Sequence, residues 1–252
     1  MSQASRAVLV TGGSRGIGSA IARAFAENGD RVAVHYSSSP EAADDVLSSL
    51  PGDGHLTTGA DLRDPDAIRR MVDHAAQALG GIDVLVNNAG VFYAHPIESV
   101  DYEEWQRAWA DMIGVNLIGA ANVTWCALQH MPRHANSRII NVGSRGAFRG
   151  EPKNPAYGAS KAAIAAFGQS IAKSLGAFGI AVTTIAPGYV DTDMAKETLA
   201  GPRGDEIRGQ SPFDRVPTPD EVAGAVLFLA SPAAEWASGS VLDFNGASYF
   251  RL

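Results

Sequence analysis

Cysteine is nearly absent from this chain, since Cys126 is the only one among 252 residues. A single thiol forms no internal disulfide, which is typical of proteins kept in a reducing compartment. No uninterrupted apolar run approaches the ~20 residues that a membrane-spanning helix needs. The segment from Met1 to Arg6 is too short and polar for a secretory signal. We therefore expect a cytoplasmic protein that has no membrane partner.

Basic residues are also scarce, because 20 Lys and Arg stand against 27 Asp and Glu, a formal net charge of −7. Nucleic acids attract basic surfaces, so neither they nor anionic membranes are expected partners. His130 and His134 have the four-residue spacing of zinc ligands on a helix. Pro132 lies between them and we expect no carboxylate partner near them, which favours surface histidines and no metal.

Short apolar segments alternate with segments of helical periodicity along the chain. Such apolar runs are typical of strands buried on both faces of a parallel sheet. The predicted strands are Ala7–Thr11, Arg31–Tyr36, Leu56–Ala60, Val84–Asn87, Arg138–Val142, Ala181–Ile185 and Ser240–Phe244. The predicted helices are Gly16–Asn28, Pro40–Leu50, Asp64–Leu79, Tyr102–Met131, Asn154–Phe178 and Pro219–Ala230.

This alternation predicts an α/β fold, a single-domain Rossmann-type doubly wound parallel sheet of about seven strands with helices on both faces. No linker rich in Pro, Gly or Ser divides the chain, so residues 1–252 are expected to form one domain. The stretch from Asp191 to Val216 is punctuated by Gly and Pro and follows a strand. It is either a substrate flap, at about 191–216, or a surface excursion without a role.

The most informative segment is T-G-G-S-R-G-I-G at residues 11–18, between the first strand and the first helix. A glycine turn of this kind points the free N–H groups of a helix start at one spot, where a pyrophosphate binds. Glycine turns also occur for packing reasons, so the loop alone only suggests a dinucleotide.

Tyr157 and Lys161 stand four residues apart in a predicted helix and share one face. A phenol with a pKa near ~10 catalyses proton transfer poorly at neutral pH unless a cation stabilises the phenolate. Ser144 follows a strand end, where its side chain would face the same crevice. Asn116 lies within a helix, either as a satisfied buried amide or as a polar link in a proton path.

The chain resembles the short-chain dehydrogenase/reductase family from Ala7 to about Tyr249. The matching motifs stand in the family's order at compatible spacing. They are T-G-G-S-R-G-I-G at 11–18, Asp61 after the third strand, N-N-A-G at 87–90, Asn116, Ser144, Y-G-A-S-K at 157–161 and P-G-Y-V-D-T at 187–192.

The resemblance implies specific catalytic roles. Tyr157 would be the general acid in reduction and the general base in oxidation. Lys161 would lower the pKa of that tyrosine and bind the nicotinamide ribose. Ser144 would bind the carbonyl oxygen, and Asn116 would hold a water of the proton relay.

The resemblance also implies which residues contact the cofactor. In the glycine loop these are Gly12, Ser14, Arg15, Gly16, Ile17 and Gly18. The others are Tyr36 and Ser37 after the second strand, Asp61 and Leu62 at the adenine, Asn88, Ala89 and Gly90, then Tyr157, Lys161, Pro187, Gly188, Val190 and Thr192 towards the nicotinamide.

NADP(H) is the favoured cofactor, with NAD(H) as the alternative. Enzymes that prefer NAD usually place an acidic residue at the end of the second strand, where it binds the ribose 2′-hydroxyl. Here that position holds Tyr36, followed by Ser37 and Ser38. Arg15 could reach a 2′-phosphate, or it could be a solvated loop charge.

The family's chemistry implies an oxidoreductase that interconverts a ketone and a secondary alcohol on a small-molecule substrate. By overall likeness the chain is similar to 3-oxoacyl-(acyl-carrier-protein) reductases, which gives a second possible function. Their carrier-docking arginines correspond to Ala135 and Phe178 here, although Arg133, Arg138 and Lys173 lie nearby. The same fold could also serve a non-catalytic dinucleotide-binding protein, an epimerase or a dehydratase.

The loop from Arg145 to Pro155 should line the substrate pocket, with Phe148 as apolar surface. Arg145 or Arg149 could receive an anionic group, but we expect both to face solvent. Trp105 and Trp109 share a helix face as a contact patch or as packing. Small residues nearly all round the helix at 154–178 indicate cover by a second subunit, and the resemblance implies a homotetramer, a dimer of dimers.

Overall fold

The apolar strands lie side by side in one sheet. In the computed structural model, which describes residues 5–133 and 136–251, seven strands pair in the order β3-β2-β1-β4-β5-β6-β7. Every pair is parallel. The strands are β1 Ala7–Val10, β2 Arg31–Tyr36, β3 Leu56–Gly59, β4 Val84–Asn87, β5 Ser137–Val142, β6 Ile180–Pro187 and β7 Val241–Phe244. The predicted fold class is confirmed.

Helices cover both faces of this sheet. They are α1 Gly16–Glu27, α2 Pro40–Ser49, α3 Pro65–Leu79, α4 Tyr102–Ile113, α5 Ala120–Leu128, α6 Gly146–Arg149, α7 Pro155–Leu175, α8 Asp193–Ala200, α9 Gly204–Arg208 and α10 Pro219–Leu229. A π-helical segment, Gly114–Gly119, joins α4 to α5 without a break. The periodicity predicted one regular helix there, because a single wider turn hardly changes the spacing of the apolar residues on either side of it.

The strand order fixes the position of the ligand crevice. From β1 the chain builds outwards through β2 and β3, then returns to place β4 on the other side of β1. The loops that follow β1 and β4 therefore leave in opposite directions and open a crevice at the carboxyl ends of these two strands. Thr11 and Asn88, which follow these strands, stand at its floor.

The core consists of one apolar layer on each face of the sheet. In β1, Val8 and Val10 pack with α1 and α10 on one face. Ala7 and Leu9 pack with α3 and α5 on the other. Each fully buried Val or Leu side chain stabilises the fold by about 1.5–3 kcal/mol. The central strands thus hold the crevice on a rigid base.

Side chains cap the starts of two helices. The Asp64 carboxylate accepts from the backbone N–H groups of Asp66 and Ala67 before α3. Thr218 and Glu221 form a reciprocal capping box at the start of α10. A proline fills the first position of both helices, where its missing N–H costs nothing.

By length and composition alone, the continuous helix Tyr102–Leu128 could cross a membrane. This corrects the expectation that no segment would qualify, which counted only unbroken apolar runs. In the fold, 44% of its most apolar window is buried, and α5 packs against α3 in the core of one sheet face. Core helices commonly pass the same test.

Candidate active site

The glycine loop between β1 and α1 is a tight turn. Gly12 has a φ of +62° and Gly16 a φ of +56°, a left-handed region that favours glycine. A β-carbon on Gly18 would overlap the Gly12 carbonyl oxygen, so α1 starts directly against the turn. Arg15, at the N-cap, makes no side-chain capping bond. The first N–H groups of α1 therefore remain free of a side-chain cap, and the turn fits a pyrophosphate.

The loop after β4 is fastened to this turn. The Asn88 side-chain amide donates to the carbonyl oxygens of Thr11 at 2.9 Å and Gly12 at 3.0 Å. The backbone N–H groups of Asn88 and Ala89 donate to the Thr11 hydroxyl at 3.0 and 3.1 Å. The structure thus brings two of the predicted cofactor segments together. Ser14 and Ile17 lie half-buried in the turn itself.

The segment 187–192 reaches the glycine loop from the opposite side. Pro187 ends β6, and the Gly188 N–H donates to the Phe244 carbonyl at 3.1 Å. The Thr192 methyl carbon lies 3.5 Å from where a β-carbon of Gly16 would stand. Val190 is buried in the core between them. A third predicted cofactor segment therefore closes the same crevice.

The end of β2 carries no acidic group. The Tyr36 ring lies against Gly59 so closely that a β-carbon there would be 2.8 Å from a ring carbon. Ser37 is exposed beyond it, as is Arg15 across the loop. Within the described parts of the chain, Arg15 has no carboxylate within ion-pair distance. The Arg15 guanidinium is therefore available to bind an anionic group near the end of β2.

Asp61, expected at the adenine, is held by a neighbouring cation. Arg63 donates to its carboxylate from Nε at 3.1 Å and from Nη2 at 2.7 Å. The Arg63 guanidinium lowers the pKa of Asp61, which is therefore anionic at neutral pH. Arg63 also reaches Asp111 on α4 at 2.7 Å. Leu62 is buried beside them.

Lys161 is buried at the centre of the crevice. Its Nζ donates to the Val142 carbonyl at 2.7 Å and lies 5.8 Å from the centre of the Tyr157 ring. Burial lowers the pKa of Lys161 to about 8. A β-carbon on Gly90 would stand 3.5 Å from this Nζ, so the ammonium adjoins the loop after β4.

Tyr157 is surrounded by groups that resist its ionisation. Burial raises the pKa of its phenol to about 12, Ser144 opposes this rise, and the Glu151 carboxylate adds to it. Phe92 packs edge-on against the phenol ring, with the ring centres 4.8 Å apart. The Ser144 hydroxyl also accepts the Gly146 N–H at 3.0 Å. A lowering of the tyrosine pKa by Lys161 stays a prediction.

The Asn116 side chain makes three hydrogen bonds inside the protein. Its amide nitrogen donates to the Val91 carbonyl at 3.1 Å and to the Ser160 hydroxyl at 3.0 Å. Its amide oxygen accepts the Val91 N–H at 2.8 Å. Asn116 thus joins the loop after β4 to the helix of Tyr157, from a π-helical segment of the kind often found at functional sites.

His35 is a site residue that the sequence analysis missed. It is buried in β2, where its Nδ1 accepts the Gly12 N–H at 2.9 Å. Its Nε2 must then carry the proton that it shares with the Ala60 carbonyl at 3.1 Å. Burial lowers the pKa of this ring. A polar residue inside an apolar strand was the available signal.

His95 is a second residue that the sequence analysis missed. Its Nε2 accepts the Ala156 N–H at 3.0 Å, in the first turn of α7 and one residue before Tyr157. Its Nδ1 lies 3.0 Å from the Tyr93 carbonyl. Asn154, the N-cap residue of α7, makes no side-chain cap. The ring contacts Trp105, which contacts Trp109, so both tryptophans pack within the chain.

Three expectations about surface charges are wrong. Arg145 is only 4% exposed, because its guanidinium folds back between chain segments. Arg138 is buried in β5, where Nη1 donates to the Ser137 carbonyl, so it cannot face a carrier protein. His130 does have a carboxylate partner, Asp73, at 2.7 Å. Arg149 is exposed, as expected.

Two further surface predictions concern the histidine pair and the positions that correspond to carrier-docking arginines. His134 and Ala135 lie outside the described residues. Among the residues described, no group of three or more His, Cys, Asp or Glu side chains could hold a metal ion. Phe178 is partly exposed beneath the Arg133 guanidinium, which stands 4.8 Å from the ring centre.

Comparison with known proteins identifies the family. The sequence profile described as short chain dehydrogenase matches residues 6–202. The chain is 35% identical to 3-oxoacyl-(acyl-carrier-protein) reductase of Vibrio cholerae, over 97% of both sequences. It is 37% identical to cis-4-hydroxycyclohexanecarboxylate dehydrogenase of Sinomonas cyclohexanicum, over 96% of both.

Solved structures agree with the sequence relatives. A short-chain dehydrogenase from Burkholderia cenocepacia, solved in complex with NADP, superimposes with a TM-score of 0.88 at 35% identity and covers 98% of both chains. Profile, relatives and structure all span the glycine loop and the Tyr157–Lys161 pair. The chain therefore belongs to the short-chain dehydrogenase/reductase family and is an NAD(P)(H)-dependent oxidoreductase.

Proposed function

We propose that this oxidoreductase reduces ketones to secondary alcohols, and catalyses the reverse oxidation, on small molecules with NADP(H). The observation that carries the proposal is the Tyr157 phenol held near the buried Lys161 ammonium, with the Ser144 hydroxyl acting on the same phenol. Hydroxyl, phenol and ammonium at the end of a dinucleotide crevice are the groups that carbonyl reduction requires.

Each side chain has a distinct task in this proposal. The Tyr157 phenol donates its proton to the substrate oxygen in reduction and withdraws it in oxidation. Its raised pKa keeps the phenol protonated at neutral pH, which is the form that reduction needs. Ser144 donates to the substrate oxygen as negative charge develops there. A bound nicotinamide supplies or accepts the hydride.

Lys161 and Asn116 act around this proton transfer. As an ammonium, Lys161 binds the nicotinamide ribose and favours the phenolate once the Tyr157 proton has left. Asn116 holds the loop after β4 against α7 and supports a water that replenishes the proton. The segments 12–18, 36–37, 61–62, 88–90 and 187–192 hold the dinucleotide, whose pyrophosphate fits the glycine turn.

The preference for NADP(H) rests on the charges around the end of β2. No carboxylate there repels a 2′-phosphate, and Arg15 is exposed without an ion-pair partner among the described residues. The NADP that is bound in the Burkholderia cenocepacia structure supports this choice. We expect NADPH to bind at least about tenfold more tightly than NADH, measured by tryptophan fluorescence.

An Arg15→Ala variant tests the source of that preference. Loss of a charge-assisted hydrogen bond weakens NADPH binding by about tenfold or more, and NADH binding changes little. Arg23→Ala is the control, since Arg23 is a half-exposed arginine of α1, two turns beyond Arg15. A wild-type enzyme that prefers NADH would overturn the assignment.

The reaction is tested with a panel of ketones and secondary alcohols, followed by NADPH absorbance. Turnover of neutral ketones in one direction and of their alcohols in the other is expected. Absence of turnover across the panel, from an enzyme that binds NADPH, would favour a non-catalytic dinucleotide-binding protein.

A second candidate is reduction of 3-oxoacyl thioesters on a carrier protein, as the name of the Vibrio cholerae relative states for that protein. Arg133, stacked on the partly exposed Phe178, is the observation that favours it. A carrier-linked thioester should then react faster than the same acyl group on a small thiol. Equal rates would leave a free small molecule as the substrate.

We also propose how the protein is organised. Residues 1–252 form one domain, and residues 191–216, which carry the short helices α8 and α9, form a flap over the substrate. The subunits assemble as a homotetramer, because large apolar side chains on the helix Tyr102–Leu128 stand exposed. The buried free thiol of Cys126 fits a cytoplasmic location.

A further inference from the structure

Arg145 is a buried cation without a buried anion. Its side chain donates from Nη1 to the Ser248 hydroxyl and from Nη2 to the Gln210 amide oxygen at 2.7 Å. Both partners are neutral, and within residues 5–133 and 136–251 no carboxylate oxygen lies within 4.0 Å of the guanidinium. Buried charges are normally paired, because an unpaired one carries a large desolvation penalty.

A second guanidinium makes this charge harder to accommodate. Arg149 donates to the same Gln210 amide oxygen at 3.4 Å. Burial, together with the positive charge of Arg149, lowers the pKa of Arg145. Glu151 is the acid that faces this pair of cations, 4.0 Å from Arg149. Two cations against one anion leave one net positive charge at this place.

This charge borders the reacting groups. Arg145 follows Ser144 directly, and its backbone N–H donates to the Pro187 carbonyl at 2.8 Å. Its guanidinium lies over the Tyr189 ring, 5.3 Å from the ring centre. Tyr189 and Glu151 also act on the pKa of the Tyr157 phenol, so the guanidinium and the phenol lie near the same two side chains.

We propose that Arg145, assisted by Arg149, binds a carboxylate on the substrate, so that this enzyme acts on keto acids and hydroxy acids. The inference rests on the proposed carbonyl reduction and deepens it. The planar guanidinium of Arg145 presents five N–H donors, of which two are engaged by Gln210 and Ser248. A single net positive charge suits a monoanionic carboxylate better than a dianionic phosphate.

Gln210 occupies the acceptor position beside both cations. Its neutral amide oxygen accepts hydrogen bonds from both Arg145 and Arg149, so a substrate carboxylate in the same position would be stabilised by both cations. Gln210 belongs to the proposed flap, residues 191–216. A carboxylate that takes over these hydrogen bonds would therefore be gripped between the flap and the loop that carries Ser144.

The test compares keto acids with their methyl esters. Acetoacetate, 4-oxopentanoate and 4-oxocyclohexanecarboxylate each have an uncharged ester of the same carbon skeleton. We expect kcat/KM to be at least about tenfold higher for one or more of the acids than for the matching ester. The same acids should raise the Tm of the protein at millimolar concentration in the absence of cofactor, and the esters should not.

Two variants separate recognition from structural support. Arg145→Met should lower kcat/KM for the preferred acid by about tenfold or more and leave the ester within about twofold. Gln210→Glu keeps the size of the side chain and places a carboxylate between the two cations. It should abolish the acid preference and the acid-induced rise in Tm, yet retain folding. Arg69→Met, at an exposed arginine of α3 outside the crevice, is the control and should change the turnover of neither substrate.

The outcomes distinguish this subsite from the reaction itself. If neutral ketones and esters react but no acid in the panel reacts or binds better than its ester, the carboxylate subsite is wrong and carbonyl reduction stands. An equal loss for acid and ester in Arg145→Met, with an unchanged preference in Gln210→Glu, would assign Arg145 to holding the loops together. Better turnover of a phosphorylated ketone than of any acid would also overturn the proposal.

Discussion

At the scale of single residues, the two groups proposed for proton transfer are shifted in opposite directions. Burial raises the pKa of Tyr157 to about 12 and lowers that of Lys161 to about 8. Both shifts favour the neutral form, because the protein excludes water from the crevice. At neutral pH the phenol therefore carries the proton that reduction needs, while most of Lys161 is still an ammonium.

The Tyr157→Phe substitution removes the proposed proton donor and keeps the ring against Phe92. We expect turnover to fall by about 100-fold or more, since general acid catalysis contributes roughly that much. NADPH affinity should stay within about twofold, measured by fluorescence. An unchanged rate would show that another group donates the proton.

The pH dependence of kcat/KM for NADPH reports on Lys161 in the free enzyme. Its lowered pKa means that the ammonium loses its proton as pH rises through about 8. Because the ammonium form binds the ribose, kcat/KM should fall above this pH. Lys161→Arg retains the charge and should move the falling limb to higher pH. A flat wild-type profile up to about pH 10 would contradict this role.

Several residues of the candidate site could be located from the sequence, but their partners could not. Tyr157, Lys161 and Ser144 stand out because short local motifs carry them. The burial of Arg145 depends on Gln210 and Ser248, which lie 65 and 103 residues away along the chain. Spacing carries no information about such contacts, so an arginine in a loop was expected to face solvent.

At the scale of elements, the position of α7 depends on a side chain from another loop. The His95 Nε2 accepts the Ala156 N–H, which the helix itself leaves unpaired. A lost helix cap costs about 1 kcal/mol. Because the capped turn carries Tyr157, we expect the larger effect of losing this bond to be on turnover.

Substitutions at His95 can distinguish its two ring nitrogens. His95→Leu should lower kcat by about 10- to 100-fold, because a small displacement of a catalytic group is costly. His95→Gln places an acceptor near Nε2 and should restore most of kcat, whereas His95→Asn mimics Nδ1 and should not. NADPH affinity should be unchanged in all three. Equal defects in Gln and Asn variants would argue against the cap.

Element boundaries could be predicted closely, because apolar runs and capping residues are local signals. The predicted helix starts at Asp64 and Pro219 agree with the observed caps, Asp64 before α3 and Thr218 before α10. The π-helical segment around Asn116 could not be predicted, since one wider turn leaves the apolar pattern almost unchanged. The extension of β6 to Pro187 arises from pairing with Phe244 of β7.

At the scale of the whole molecule, the doubly wound parallel sheet could be predicted from the alternation of strands and helices. Parallel strands need crossover helices, which leaves few arrangements. The alternation of strands and helices does not indicate which surfaces join subunits. Trp125 on α5 and Ile118 on the π-helical segment are 63% and 53% exposed, although both are large and apolar.

The oligomeric state can be tested at this exposed surface. Trp125→Glu places a charge within the apolar surface and should dissociate the proposed tetramer into smaller species, seen by light scattering after size exclusion. Ser48→Glu, on the exposed face of α2, is the control and should leave the mass unchanged. A wild-type monomer would contradict the assembly.

The buried imidazole of His35 has a consequence for acid solutions. Its Nδ1 can either accept the Gly12 N–H or take up a proton, but not both. Because its pKa is lowered in the folded protein, unfolded chains bind this proton at a higher pH. The contribution of His35 to the free energy of unfolding is therefore fully present above the ordinary histidine pKa, near ~6.5, and declines as pH falls below it. Protonation of Nδ1 breaks the hydrogen bond that holds the glycine turn in the shape that binds the pyrophosphate. Acidification should therefore release the dinucleotide before the sheet unfolds.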